Sequence, residues 1–322
     1  MAKQLFQRRL LLVTGKGGVG KTTIAAALAV AARDRGKNVL LAQLGKIDNI
    51  GPIFGKQLEP YKYVALEQGL TGFSIEPYLA LHEYLVRSIK LQFVVDVFLE
   101  NRVIQYLTQA APGWRELITV GKIWELEQQT GPYRRPRFDL IVVDAPATGH
   151  GISFLRVPGV ILNTIRFGPI RQHTLQVQKL LLDPARTLLI AVTLPEEMPV
   201  NEAIEIHRAA KTILQIPYGA TVLNGFTGPL APRGVGPILK KLLEDESAMR
   251  ALAKALPGGL APIDDARRTR DERAAMSRRY GAEIEQKIGG DTLQTPFVPG
   301  ARLDRDSIQR IAKALDEQIG EP

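Results

Sequence analysis

The sequence predicts an α/β fold in which a mostly parallel central sheet is flanked by helices. The apolar run at 10–14 has the length and composition of a buried strand, and the alanine-rich run at 23–32 has high helix propensity. A second apolar run follows at 39–42, so these segments form a strand–helix–strand unit with a parallel pair and a right-handed crossover. Later strand-like runs that extend the sheet are 137–144, 187–193 and 220–224.

The loop between the first strand and the first helix matches a phosphate-binding motif. Residues 15–22 read G-K-G-G-V-G-K-T, which fits G-x-x-x-x-G-K-[ST] in the strand–loop–helix context that the motif requires. Its backbone N–H groups and the helix N-terminus favour negative charge. The motif predicts that Lys21 contacts the β- and γ-phosphates and that Thr22 binds Mg²⁺; the alternative is a glycine-rich turn without a ligand. The predicted nucleotide-binding residues in this loop are Gly17, Gly18, Val19, Gly20, Lys21, Thr22 and Thr23.

A later strand carries the carboxylate that such a site needs. Residues 137–144 contain a run of branched apolar side chains that ends in Asp144, as in a Walker B strand, whose aspartate holds the water shell of Mg²⁺. The alternative for a lone aspartate at a strand end is a cap. The phosphate loop upstream and a glycine loop downstream favour the metal role, so Thr22 and Asp144 are the predicted metal-binding residues. Together these motifs predict a three-layer P-loop NTPase fold with an additional helical region.

Composition narrows the class of protein. The chain has no cysteine, which excludes disulfides, cysteine-ligated metals, iron–sulfur clusters and thiol nucleophiles, and fits a cytoplasmic location. The basic N-terminus runs directly into the first strand, and no stretch of 18 apolar residues occurs, so we expect neither a secretion signal nor a membrane span. A net charge of +9 is compatible with an anionic partner. Because no nucleic-acid-binding motif is present, a merely basic surface is favoured and nucleic acid is not expected.

The remaining segments complete the predicted organisation. Residues 51–72 are predicted to be irregular, with a short strand at 73–76 and a short strand and loop at 295–299. Because one site draws on residues near 20 and near 224, a single domain of residues 1–322 is expected, with helical subdomain segments at about 77–130 and 152–183. The predicted helices are 77–110, 114–129, 152–165, 169–182, about 199–214, two or three within 234–286, and 304–319.

Two motifs resemble those of a known ATPase family. G-K-G-G-V-G-K-T-T at 15–23 resembles the deviant Walker A motif of the MinD, ParA and ArsA group, and D-A-P-A-T-G-H at 144–150 resembles the switch II pattern of the ArsA family. The resemblance implies that ATP and Mg²⁺ are the cofactors. It also implies a homodimer, or a heterodimer with a paralogue, whose nucleotide-driven closure acts on an unknown protein client or a membrane-associated one. Within that dimer Lys16 would reach the partner's nucleotide; the alternative is an ordinary exposed lysine.

The resemblance also assigns roles to single residues. It implies that Gly149 offers its N–H group to the γ-phosphate and that Asn224 hydrogen-bonds the adenine, while Pro296 lies by position in a second adenine-side loop. The alternative for Asn224 is a strand-end asparagine that starts a turn with Gly225. The predicted catalytic residues are Lys16, Lys21 and Asp48.

Because the sequence departs from the family pattern, we expect ATP hydrolysis to be slow or altered. The family carries an aspartate after the second strand that orients the attacking water, and here Gly45 occupies that place. Asp48, three residues on, substitutes only if the loop shifts. The cysteines that bind arsenite or zinc in family members are absent, so neither ligand is expected through such residues. The leading hypothesis is a cytoplasmic ATPase with slow or altered hydrolysis. The alternatives are a nucleotide-dependent binding switch with weak or no hydrolysis and a ParA-like DNA-associated ATPase.

Overall fold

A computed structural model describes residues 2–89, 113–228, 241, 244–255, 261–300 and 303–320. Within these residues eight strands form one sheet in the order β3-β4-β2-β5-β1-β6-β7-β8. β3 and β4 pair antiparallel, and every other pairing is parallel. The strands are β1 Leu10–Gly15, β2 Val39–Leu44, β3 Tyr63–Glu67, β4 Leu70–Ile75, β5 Leu140–Ala147, β6 Thr187–Thr193, β7 Tyr218–Phe226 and β8 Thr292–Pro296.

Helices cover both faces of this sheet, which confirms the predicted three-layer α/β fold. In the described part of the chain they are α1 Lys21–Asp34, α2 Pro77–Ile89, α3 Trp114–Gln128, α4 Thr148–Thr164, α5 Pro169–Leu182, α6 Glu197–Ala209, α7 Glu246–Ala255, α8 Ala261–Lys287 and α9 Arg305–Ile319. α6 continues into a π-helical turn at Ala210–Leu214, and short 3-10 helices lie at Ala2–Gln7, Gly51–Phe54 and Pro132–Arg134. Among the described residues, no helix has both the length and the apolar character needed to cross a membrane.

The central strand β1 is buried on both faces, and its alternating side chains separate the two cores. Leu11 and Val13 belong to the core under α1 and α9, whereas Leu10 and Leu12 belong to the core under α3 to α6. This two-residue alternation follows from strand geometry. The continuous apolar run of β1 is what a central strand needs when helices cover both faces of the sheet.

Helix α1 is rich in alanine, whose small side chains let neighbouring elements pack closely against it. Its residues from Thr23 to Ala32 are all buried, and α9 packs against it through Ile308, Ile311 and Leu315. Arg35, at the C-terminus of α1, donates to Asp316 on α9 at 2.6 Å. The last helix of the described chain thus fixes α1, the helix that follows the phosphate loop.

The prediction that residues 51–72 are irregular is wrong. The segment contains β3 and the first residues of β4, joined by a tight turn in which Gly69 has a φ of 74°. Val64 is the one β-branched residue of β3. In β4, the apolar pattern is interrupted by Gly72, where a side chain has little room because a Cβ would lie 3.1 Å from Leu66. The strand pattern is therefore weak in the sequence, although both segments pair in the sheet, with an irregularity between Ala65 and Glu67.

Several predicted boundaries also change. The helix predicted at 152–165 begins four residues earlier, at Thr148, so α4 starts inside the switch II motif. The helix predicted at 77–110 is present as α2 up to Ile89, and the rest of it lies outside the described residues. Among the described helices, α3 contacts α2, α4 and α5. The assignment of 77–130 and 152–183 as helical subdomain segments of a single domain stays a prediction.

Candidate functional site

The carboxyl ends of the parallel strands meet at one edge of the sheet and bring the predicted site residues together. Asp144 on β5 lies in register with Val13 on β1 and Gln43 on β2. Asn224 lies near the end of β7, and Pro296 ends β8, which pairs with β7. Ligands of open α/β sheets bind at this edge.

The phosphate loop has a backbone that depends on glycine, because Gly15, Gly18 and Gly20 all have positive φ. Gly15 has a φ of 153°, and a Cβ there would lie 2.2 Å from the carbonyl oxygen of Val192 on β6. Gly20 immediately precedes α1 in the left-handed conformation, with φ 87° and ψ 32°. These conformations leave the N-terminus of α1 directed at the loop, which is the arrangement that binds phosphate.

Lys21 begins α1 and its side chain folds back over the loop. Its Nζ donates to the carbonyl oxygen of Lys16 at 2.9 Å. Burial lowers the pKa of the Lys21 ammonium, and the carboxylates of Asp144 and Glu202 oppose that shift. The ammonium is therefore partly desolvated at the mouth of the loop, where a phosphate group would stabilise its charged form.

Thr22 and Asp144 form the second part of the site. The Thr22 hydroxyl donates to Oδ2 of Asp144 at 2.5 Å, whereas Oδ1 of Asp144 is buried without a hydrogen-bond partner among the described residues. Burial raises the pKa of Asp144, against the hydrogen bond from Thr22 and the charge of Lys21. A buried carboxylate oxygen without a partner is costly unless a cation or a water completes it. This oxygen donor set fits Mg²⁺, which prefers carboxylates, hydroxyls, phosphates and water.

The protein alone offers few ligands to a metal. Among the described residues, no group of three or more histidine, cysteine, aspartate or glutamate side chains could hold an ion. Thr22 and Asp144 therefore suit an ion that takes most of its remaining ligands from nucleotide phosphates and water, as Mg²⁺ does in phosphate-transferring enzymes.

The loop after β2 is held by side chains that the sequence analysis did not identify. Gln43 is buried; its Nε2 donates to the carbonyl oxygen of Ile47 at 2.8 Å, and its Oε1 accepts from the N–H of Asn49 at 3.0 Å. Ser74 on β4 donates to the carbonyl oxygen of Gly45 at 2.6 Å. A glutamine within the otherwise apolar β2 is the sequence signal that would have pointed to this arrangement.

Asp48 is occupied by the backbone of its own loop. Its Oδ1 accepts from the N–H groups of Ile50 at 3.2 Å and Gly51 at 2.7 Å, and its Oδ2 accepts from Leu58 at 2.7 Å. These contacts favour a role in ordering the loop over the predicted catalytic one. Gly45 has a φ of 103°, and a Cβ there would meet no atom within 4 Å.

The switch II segment leaves β5 and turns at once into helix α4. Ala147 precedes the helix with an extended backbone, and Gly149 lies in the first turn. The N–H groups of a first helical turn have no intrahelical partner. Gly149 is thus placed at the nucleotide edge, next to the strand that carries Asp144.

On the opposite side of the loop, Asn224 joins three elements. Its Nδ2 donates to the carbonyl oxygen of Val19 at 2.9 Å, and its Oδ1 accepts from the hydroxyl of the buried Thr295 on β8 at 2.9 Å. A Cβ at Gly20 would lie 2.4 Å from Nδ2 of Asn224. Asn224 therefore braces the phosphate loop against β7 and β8.

The edge beside Asn224 ends in an exposed aromatic side chain. Phe297 follows Pro296, is 50% exposed, and donates its N–H to the carbonyl oxygen of Phe226 at 3.1 Å. The guanidinium carbon of Arg273 on α8 lies 4.9 Å from the centre of its ring. Thr295 and Phe297 belong to the predicted adenine-side segment at 295–299. The hydrogen bond of Thr295 to Asn224 and the approach of Arg273 to Phe297 were not predicted, because neither contact leaves a pattern in the sequence. Lys16 is half-buried in the loop and its ammonium makes no ion pair among the described residues.

This fold and these side chains define a phosphate-loop nucleotide-binding protein. The family model of the anion-transporting ATPases, ArsA, matches residues 8–176, which include both the phosphate loop and the switch II segment. The chain belongs to this ArsA family, which confirms the resemblance found in the two motifs.

Known relatives extend the similarity over nearly the whole chain. ATPase BagA of Mycobacterium tuberculosis and the putative ATPase Mb3704 of Mycobacterium bovis are each 30% identical over 321 residues, which cover 96% of this chain and 93% of the relative. The arsenical pump-driving ATPase of Acidiphilium multivorum is 29% identical over 238 residues, which cover 67% of this chain and 39% of that protein. The similarity to the pump ATPase is therefore confined to part of that longer protein.

Proposed function

We propose that this protein is a Mg²⁺-dependent ATPase of the ArsA family that acts as a cytoplasmic dimer on an unidentified protein client. The observation that carries the proposal is the pair formed by Thr22 and Asp144, with one carboxylate oxygen lacking a partner beside the Lys21 ammonium. The relatives named as ATPases support ATP as the nucleotide. When bound, Mg²⁺ would neutralise charge on the phosphates and orient them.

Each part of the site has a role in this proposal. Lys21 and the N–H groups of residues 17–23 would hold the β- and γ-phosphates, and Thr22 and Asp144 would hold the metal. Asp144 also accepts from the Thr22 hydroxyl and so orients it. With the metal and its water bound, the unpartnered Oδ1 of Asp144 would gain a partner, which would relieve the cost of its burial.

The base is held on the other side of the loop. Asn224 uses one Nδ2 hydrogen on Val19 and one Oδ1 lone pair on Thr295, so one donor and one acceptor remain. That pair matches N7 and the 6-amino group of adenine. Pro296 and the exposed ring of Phe297 supply an apolar surface beside it.

The dimer would complete the site in trans. Lys16 has no ion-pair partner among the described residues, so its charge is available for a nucleotide on the facing subunit. Gly149, at the start of α4, would bind the γ-phosphate through its N–H group and transmit its presence to that helix. Both a homodimer and a heterodimer with a paralogue fit this arrangement. The client is a protein, with a membrane-associated protein as the more specific form of the proposal.

Turnover is expected to be slow, because no carboxylate in the loop after β2 is free to orient water. Gly45 has no side chain, and both oxygens of Asp48 accept from backbone N–H groups. This observation favours a second candidate function, a nucleotide-dependent binding switch with weak or no hydrolysis. In the part of the chain that the structure describes, no residue arrangement supports the DNA-associated alternative. The absence of cysteine leaves no cysteine site for arsenite or zinc.

Steady-state ATP hydrolysis by the purified chain tests the leading function. We expect slow, Mg²⁺-dependent turnover. Lys21→Ala should weaken nucleotide binding at least about tenfold and lower turnover, because loss of a charged hydrogen bond to phosphate costs about 1.5–3 kcal/mol of binding. Lys179→Ala, at an exposed lysine of α5, is the matched control and should turn over like the wild type. Nucleotide binding without turnover would favour the switch. Unchanged nucleotide affinity in Lys21→Ala would overturn both functions.

A further inference from the structure

A short basic hairpin projects from the edge of the sheet that lies opposite the nucleotide site. It comprises residues 130–137, T-G-P-Y-R-R-P-R, between the end of α3 and the start of β5. Thr130 and Pro136 form an antiparallel bridge, and Gly131 donates to the carbonyl oxygen of Arg135 at 2.7 Å. The hairpin precedes β5, so it lies at the amino-terminal edge of the parallel strands. Neither the phosphate site nor the adenine side uses it.

The tip of this basic hairpin has a backbone that is poorly suited to its residues. Tyr133 has φ 57° and ψ 24°, and Arg134 has φ 60°, so two consecutive residues with bulky side chains adopt the left-handed conformation. Glycine and asparagine are favoured there because other L-residues are strained. Strained backbone often marks a functional segment, so the choice of Tyr133 and Arg134 requires an explanation other than turn formation.

Packing within the protein does not provide that explanation. Tyr133 is 96% exposed, and every residue from Pro132 to Arg137 is exposed. Among the described residues, neither Arg134 nor Arg135 forms an ion pair with a carboxylate. The tip thus presents an aromatic ring and two unpaired guanidinium groups to solvent, and the fold gains no buried contact from them.

The base of the basic hairpin is rigid. The guanidinium carbon of Arg137 lies 3.9 Å from the centre of the Tyr63 ring, and its Nη1 donates to Oε1 of Gln129 at 3.1 Å. Pro132 and Pro136 restrict the backbone further. A rigid tip loses little conformational freedom when it binds a partner.

We propose that the basic hairpin docks this protein on an anionic phospholipid surface, with Tyr133 inserted at the level of the headgroups. Arginine residues near such a surface are attracted by its negative potential, and tyrosine is enriched where apolar chains meet water. Single-stranded nucleic acid is bound instead by a charged groove with several aromatic platforms. The tip here is fully exposed and carries one aromatic residue, Tyr133, which favours a lipid surface.

Flotation of the purified full chain with lipid vesicles tests this proposal. Vesicles of phosphatidylcholine mixed with phosphatidylglycerol should bind the protein at low salt, whereas vesicles of phosphatidylcholine alone should not. Replacing both Arg134→Gln and Arg135→Gln should weaken binding roughly 30-fold, at about fivefold for each charge near the surface. The matched control is Arg278→Gln with Arg279→Gln, an exposed pair on α8, which removes the same charge and should leave binding nearly unchanged.

A second variant separates binding from folding. Tyr133→Asn suits the left-handed backbone, so its thermal unfolding midpoint should not fall, yet its vesicle binding should weaken. The proposal is overturned if binding does not depend on the anionic lipid or if the α8 control loses as much as the hairpin variant. It is also overturned if the wild-type chain does not bind the anionic vesicles. Loss of affinity of the hairpin variant for a fluorescent single-stranded oligonucleotide would then identify nucleic acid as the ligand.

Discussion

Thr22 and Asp144 meet across the phosphate loop, with the threonine hydroxyl 2.5 Å from Oδ2 of the carboxylate, while Oδ1 of Asp144 is buried without a partner among the described residues. These residues are separated by more than a hundred positions and are brought together because β1 and β5 are neighbours in the sheet. An incompletely paired buried carboxylate has consequences for stability as well as for ligand binding.

Asp144 should make stability depend on pH when no metal or nucleotide is bound. Burial raises the pKa of this carboxyl above its ordinary 3.8, so the folded protein keeps the proton to a higher pH than the unfolded chain does. The contribution of Asp144 to the free energy of unfolding is therefore greatest at low pH and is lost as pH rises from about 4 through the raised pKa. Urea unfolding of Asp144→Asn over this range should lack that component of the slope.

The exposed Asp265 supplies the control for this measurement. Asp265→Asn should leave the pH dependence as in the wild type. If Asp144→Asn and the wild type lose stability in parallel as pH rises, the carboxyl of Asp144 is not destabilised in the folded protein.

Asn224 and Thr295 should act as a unit that braces the phosphate loop. Thr295→Val keeps the shape of a buried side chain but leaves Oδ1 of Asn224 without its donor, so stability should fall by about 1–3 kcal/mol and nucleotide should bind more weakly. Thermal unfolding and nucleotide titration check both effects. Thr212→Val, at an exposed helical threonine, should change neither. Loss of stability without loss of nucleotide affinity would leave Thr295 a purely structural residue.

Gly45 offers a position at which hydrolysis can be increased. A Cβ there meets no atom within 4 Å, so Gly45→Asp places a carboxylate in the loop after β2 without a clash. Its φ of 103° is unfavourable for aspartate, and thermal stability should drop slightly. Because the new carboxylate can orient water, steady-state ATP turnover should rise.

Asp48 provides the complementary variant. Asp48→Ala removes the acceptor for three backbone N–H groups, so stability should fall by about 1–3 kcal/mol, while the turnover of the molecules that remain folded should change little. A variant that folds with wild-type stability but has lost its turnover would restore the catalytic interpretation of Asp48.

Lys16 can be tested by mixing two inactive variants. If Lys16 acts on the nucleotide of the facing subunit, both variants should lose turnover. Lys21→Ala weakens phosphate binding in its own subunit, whereas Lys16→Ala removes the lysine that the facing site needs. A mixed dimer would then contain one complete site, with Lys21 from one subunit and Lys16 from the other. Turnover should reappear on mixing, and equal amounts of either variant alone are the control. No recovery, in a mixture shown to exchange subunits, would argue against action in trans.

Much of the site was predictable because its central residues are close in sequence or end an obvious strand. The phosphate loop, Thr22 and Asp144 were located in this way, and the strand at 187–193 was predicted with its observed bounds. The bracing of Val19 by Asn224, and the place of Thr295 behind it, depend on the order of β6, β7 and β8 in the sheet. Periodicity does not encode that order, so these contacts were not predictable.

The loop after β2 shows the same limit. The sequence located Gly45 and the nearby carboxylate of Asp48, but the state of that carboxylate depends on the backbone of Leu58, ten residues later. Only the folded chain reveals that Asp48 is engaged and that Gln43 and Ser74 hold the loop. Side chains that satisfy backbone groups within a loop leave little trace in the pattern of apolar residues.

Calorimetric titration of ATP into the purified chain, with and without Mg²⁺, measures whether Asp144 supports metal-dependent nucleotide binding. We expect Mg²⁺ to strengthen ATP binding to the wild type by about tenfold or more and Asp144→Asn to bind ATP with little dependence on Mg²⁺, because each charged contact is worth about 1.5–3 kcal/mol. Magnesium-dependent binding of equal strength in the wild type and in Asp144→Asn would show that Asp144 does not hold the metal.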